Sequence, residues 1–176
     1  MQYAAFLLGI NLGTRSVKMA DLEAALERAG YKNVRTALAS GNVVFDAPKG
    51  KTESLAKKLE PLLEKKFGFK IGVIVRTMDE VETMLAARPF KSVKMTKDIR
   101  RYVTFLSEKA PKGERPREVS PAFSILKVSP YEVFTVLDLS KVGKTPDVMK
   151  YLGTAFGKKT TMRNWNTIEK VAALAG

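Results

Sequence analysis

The stretch FKIGVIVRT, residues 69–77, decides the fold. Ile71, Val73, Ile74 and Val75 make it a β-branched run that reads as a strand. Upstream, Leu55, Leu59, Leu62, Leu63 and Phe67 recur at helical spacing behind Thr52, which can cap that helix. Pro61 lies inside it and is expected to kink it, because proline removes one backbone bond and crowds the carbonyl of Lys57. NVRTALA (33–39) and NVVFDA (42–47), divided by Ser40-Gly41, read as a hairpin. Met19, Leu22, Ala25, Leu26 and Ala29 mark an earlier helix, closed by Gly30. YAAFLLG (3–9) is a buried strand, apolar on both faces. Residues 1–77 therefore spell β-α-β-β-α-β, the order of a ferredoxin-like sandwich.

The second half reads as α-β-β-β-α-α. Thr77 and Glu80 form a capping box for a helix carrying Val81, Met84 and Leu85. RYVTFL (101–106), FSILKV (123–128) and YEVFTVLDL (131–139) are strands, and SEKAPKGERPREVSP (107–121) is an exposed connection. Thr145-Pro146 starts a helix that Gly157 closes. Asn166 and Glu169 make a second capping box, opening the last helix at Thr167. The expected architecture is α+β with two packed subdomains, 1–77 and 78–176. The second is expected to cover the sheet face that a lone β-α-β-β-α-β unit leaves open.

Composition narrows the chemistry. The 176 residues include no cysteine and no histidine, which removes thiolate nucleophiles, disulfides, imidazole acid–base chemistry and most zinc or iron sites. No paired carboxylates, nucleophile with its base, or carboxylate-rich metal cluster is recognisable, so a non-catalytic protein without a cofactor is expected. The apolar start MQYAAFLLGI lacks a basic region and a cleavage site, and no run reaches the length of a membrane span. A cytoplasmic protein is expected. The net charge is +13, and it is uneven: residues 47–118 hold 18 basic and 10 acidic groups, against 5 and 4 in residues 1–46. Such a field favours nucleic acid or another polyanion as partner.

GIN (9–11), VKMADL (17–22), SGNVVF (40–45), VIVRT (73–77) and TMRNWNT (161–167) occur in this order along the chain. Together they resemble the bacterial family known as domain of unknown function 1697. The resemblance implies a compact α+β protein of two subdomains, with no established activity, cofactor or catalytic residue. The chain departs from the family's usual opening, which has an arginine before Gly-Ile-Asn and a glycine pair after it. Here Leu8 precedes Gly9, and Gly13-Thr14 follow.

Several segments invite a functional reading. VGKT (142–145) lies between a strand and a helix like a phosphate loop. Asp138 occupies the required upstream glycine position and Pro146 removes an amide, so an ordinary turn is the better reading. SGNVVFDA offers Asn42, Val44 and Asp46, not aromatics, where an RNA-recognition motif would stack bases. Arg88, Lys91, Lys94, Lys97 and Arg100 recur every third residue, with Arg101 adjacent. On a helix that spacing drifts by about 60° per step, whereas an extended three-fold segment would line them along one edge. GINLGTRSVK (9–18) joins a strand to a helix, and its Asn11, Arg15 and Lys18 are candidates to bind an anion. In RNWNT (163–167), Arg163 can pair an anion or stack on a base, with Asn164 and Trp165 beside it, although Trp165 is expected to pack into the seam between the subdomains. The alternatives to a nucleic-acid binder are an enzyme or binder of a phosphorylated metabolite at Gly9–Lys18, and a protein-interaction module.

Overall fold

The computed structural model describes residues 1–141 and 147–176, so the VGKT stretch and the expected Thr145-Pro146 helix start lie outside the described residues. The chain is α+β with two antiparallel sheets. It forms two compact units, Met1–Thr83 with Asn166–Gly176, and Met84–Trp165. An expected boundary after Thr77 follows chain order alone. By contacts the C-terminal segment groups with the first unit, and the division falls within a helix.

In the first unit β1 (Gln2–Leu8), β2 (Lys32–Ala37), β3 (Asn42–Asp46) and β4 (Gly72–Thr77) form a sheet in the order β2-β3-β1-β4. This is the ferredoxin-like order, in which each helix carries the chain over one intervening strand. Ala5 pairs with Val43 on one side and Val75 on the other. Tyr3, Ala5, Leu7, Val43, Phe45, Val73 and Val75 face α1 (Met19–Arg28) and α2 (Thr52–Phe67), whose Leu22, Leu26, Leu59 and Leu63 complete one core. Each such leucine contributes about 1.5–3 kcal/mol by leaving water.

Local chemistry sets most boundaries. Past α1, Gly30 takes φ +91 and its N–H reaches the Glu27 carbonyl. Gly68 closes α2 in the left-handed region. Lys51, not Thr52, is the N-cap of α2, and no side chain caps it. The helix runs on through Pro61, which is exposed. The box at α3 (Met78–Ala86) forms as its residues require: Thr77 N–H donates to Glu80 at 2.8 Å, and Glu80 N–H to Thr77 Oγ1 at 3.1 Å.

The second unit holds β5 (Ile99–Leu106), β6 (Arg117–Ser120), β7 (Phe123–Val128), β8 (Glu132–Asp138) and β9 (Thr160–Asn164), ordered β6-β7-β8-β5-β9. On one face Leu106, Phe123, Ile125 and Val133 pack against Leu152 and Phe156 of α4 (Val148–Phe156), capped by Asp147. The edge strands β6 and β9 depart from expectation. REVS is short and lies among prolines, and TTMRN is polar, so neither carries a strand's hydrophobic signal. The last helix, α5 (Trp165–Ala172), starts two residues before Thr167, which puts Asn166 in its first turn and not at its N-cap. Among the described residues, no helix is long and apolar enough to cross a membrane.

Candidate functional site

The second face of the first sheet is the surface on which an RNA-recognition motif would stack bases. Here Ala4, Phe6, Asn42, Val44, Ile74 and Arg76 on that face are all buried. A base cannot reach it. The candidate anion-binding residues of this unit, Asn11, Arg15 and Lys18, lie in and beside the loops at the edge where β1 and β2 end.

There the polar groups first serve the loops themselves. The Asn11 amide donates to the carbonyls of Val17 and Ala39, and Asn11 Oδ1 accepts from Val17 N–H at 2.8 Å. Asn11 takes φ +54, a region asparagine tolerates better than most side chains. Arg15 donates to the Gly9 carbonyl at 3.4 Å, and its guanidinium lies 5.5 Å from the centroid of the Phe69 ring. Lys18, exposed, is the N-cap of α1. In the facing turn the fully buried Asn42 amide donates to the Ala37 carbonyl at 2.7 Å and to Ser40 Oγ at 2.9 Å. A Cβ at Gly41 would come within 2.5 Å of the Ile10 side chain and 2.9 Å of Leu7 Cβ, and φ is +76, so only glycine fits there. Leu38 is held at φ +59, a strained conformation for leucine.

In the second unit Trp165 and Arg101 meet through Phe90, a residue the sequence did not single out. Trp165 lies edge-on to Phe90, with centroids 5.1 Å apart, and to Phe134 at 6.1 Å. Arg101 stands over the Phe90 ring at 5.7 Å, and Lys127 over Phe134 at 5.8 Å. Arg163 pairs with Val103 across the sheet, and its guanidinium donates to Thr161 Oγ1 at 2.6 Å and the Met162 carbonyl at 2.9 Å. Burial pushes the Arg163 pKa down to about 10, which leaves it a cation at neutral pH. Trp165 is only 4% exposed and Arg163 6%. Both were candidates for ligand contact, and both are instead embedded: the ring packs on rings, and the guanidinium bonds to its own strand. Asn164 pairs with Tyr102 and is half-buried.

The basic series does not form one edge. Arg88 takes φ +44, and successive turns fold the segment: Arg88 N–H bonds Leu85, Lys91 N–H bonds Arg88, and Ile99 N–H bonds Thr96. Arg100 and Arg101 are adjacent in β5 and so point to opposite faces. Arg100 bends back onto the Lys97 and Ile99 carbonyls at 2.7 and 3.1 Å. Arg88, Lys91, Lys94 and Lys97 are exposed. Among the described residues, no group of three or more acidic, histidine or cysteine side chains could hold a metal ion.

Comparison with known proteins agrees with the fold and supplies no activity. The chain is similar in structure to the conserved bacterial protein SP0830 from Streptococcus pneumoniae, with a TM-score of 0.76 and 21% identity over 98% of this chain and 97% of that one. No curated protein matches it. The model of the family described as "Protein of unknown function (DUF1697)" matches residues 1–127, and the chain belongs to that family.

Proposed function

We propose that this protein binds a polyanion, with nucleic acid the first choice, and that it does so without catalysis. The observation that carries the reading is charge: the chain is +13, and most of the excess lies in residues 47–118. Within that span Lys57, Lys58, Lys65, Lys66, Lys91 and Lys94 are all exposed on the surface. Cations strung along helix α2, and separately along a turn-rich segment of the second unit, suit a phosphate backbone, which presents its charges one after another along its length. A phosphorylated metabolite at Gly9–Lys18 is the weaker reading, since the Asn11 amide is already bonded to Val17 and Ala39. Titrating labelled oligonucleotides at low and moderate salt tests the proposal. Affinity that falls steeply with salt supports it, and undetectable binding at low salt rejects it.

A further inference from the structure

The loop edge of the first unit presents two large apolar side chains to water. Leu12 is 67% exposed and Leu38 47%. They stand on different loops, β1–α1 and β2–β3, which the Asn11 amide joins through the Ala39 carbonyl. The second loop is pinned to the sheet, with Leu7 N–H donating to the Gly41 carbonyl at 2.8 Å. The β1–α1 loop that bears Leu12 also carries the exposed cations Arg15 and Lys18, and Arg15 lies over Phe69, the chain neighbour of the exposed Lys70. Of the nearby acids, Asp21 is exposed in the first turn of α1, and Glu23 is bonded to Thr36.

We infer that this edge is a contact surface for single-stranded nucleic acid, with Arg15, Lys18 and Lys70 meeting phosphates and Leu12 and Leu38 meeting the faces of unpaired bases. The inference rests on the reading of the protein as a nucleic-acid binder, and adds the place and the form of the strand. The apolar pair makes the choice. A duplex keeps its base faces stacked and shows only edges in its grooves, so rigid leucines gain there only by prising a step apart, which is costly. A single strand sets apolar base faces beside its phosphates, matching the mixture of leucines and cations on this edge. A small phosphorylated molecule needs a concave site, and these leucines protrude.

The test uses the full chain with a fluorescent single strand of roughly 20 nucleotides, long enough to cover one small domain, and with its duplex. Wild type is compared with Leu12→Ser/Leu38→Ser, Arg15→Ala/Lys18→Ala/Lys70→Ala and Lys91→Ala/Lys94→Ala/Lys97→Ala, with melting temperatures alongside. Leu38→Gly, which removes the side chain and suits the positive φ, keeps the test valid if the double leucine variant unfolds. The expected result is tighter binding to the single strand than to the duplex. The leucine variants should weaken single-strand binding by about tenfold, the scale of withdrawing a large apolar side chain from a contact, and leave the duplex unaffected. Unchanged single-strand binding in the leucine variants, or a duplex bound as tightly, overturns this inference and leaves the broader function standing. Wild type that binds no nucleic acid at low salt overturns both. Wild type that sediments with anionic vesicles through the leucines, with nucleic-acid binding unaffected by them, overturns it in favour of a membrane surface.

Discussion

Asn11 and Ala39 lie 28 residues apart and are joined by one hydrogen bond, from the Asn11 side-chain amide to the Ala39 carbonyl. The same side chain also bonds both N–H and C=O of Val17. One amide therefore fixes the β1–α1 loop internally and ties it to the β2–β3 turn. Asn11→Ala is expected to destabilise the protein by about 1–3 kcal/mol, because it strips three hydrogen bonds and leaves alanine at a positive φ. Asn11→Gly keeps the backbone conformation and should cost less. Urea denaturation of the two variants gives the order, and equal losses would mean that backbone strain contributes nothing.

Trp165→Ala should cost about 3–5 kcal/mol, the scale of emptying a large buried aromatic site. Trp165→Phe should recover part of this, since a smaller ring can still meet Phe90 and Phe134 edge-on. Thermal melts check it. An unchanged melting temperature for Trp165→Ala would contradict a ring that is 4% exposed.

Arg163→Ala is expected to lower the melting temperature and to leave nucleic-acid affinity near wild type, because the guanidinium is spent on Thr161 and Met162. The pH dependence follows from the sign of its shift. A folded pKa of about 10, below the ordinary arginine value, means that the unfolded chain holds the proton more firmly. Burial of this cation therefore opposes folding at neutral pH and is relieved only as pH rises through about 10. The stability difference between Arg163→Ala and wild type should accordingly be flat from about pH 6 to 9. A slope within that range would place another titrating group against Arg163.

Thr104 and Thr135 are completely buried on neighbouring strands, and among the described residues neither hydroxyl has a hydrogen-bond partner. Thr104→Val and Thr135→Val should each raise stability by about 1 kcal/mol, since an isosteric methyl removes the desolvation cost. Lower melting temperatures in both variants would show that the hydroxyls are satisfied.

Limited proteolysis should cut first between Glu108 and Pro116 and spare 117–120, because Arg117 begins β6 and its guanidinium holds the Tyr151 hydroxyl at 2.8 and 3.1 Å. The two pieces should stay together, with β5 on one paired to β8 and β9 on the other. Early cuts within β2 or β3, or fragments that separate at once, would contradict this arrangement.

The first sheet was legible because its residues alternate or recur with clear periods. Val73 and Val75 face the core that Leu59 and Leu63 complete, as their spacing requires. The capping box at Thr77 and Glu80 was legible for the same reason, being a local exchange of two bonds. β9 was not, since Thr160, Thr161 and Arg163 are buried polar residues whose place is set by pairing with β5, 54 or more positions away. Phe90 escaped notice because a lone aromatic in a turn has no period. Leu12 and Leu38 escaped because exposure is a property of the assembled loops. For Arg163 the chemistry of the side chain pointed to a ligand, whereas in the fold its guanidinium bonds to its own strand.

The central claim is that the charge of this protein serves a polyanion, and the salt dependence of oligonucleotide binding tests it most directly. The apparent association constant for a labelled single strand would be measured between about 50 and 200 mM salt. The account predicts detectable binding at the lower salt and a linear fall of log K with log salt, of slope about −0.7 for each phosphate contacted. Absence of binding at the lower salt, or binding that does not change across the range, would contradict it.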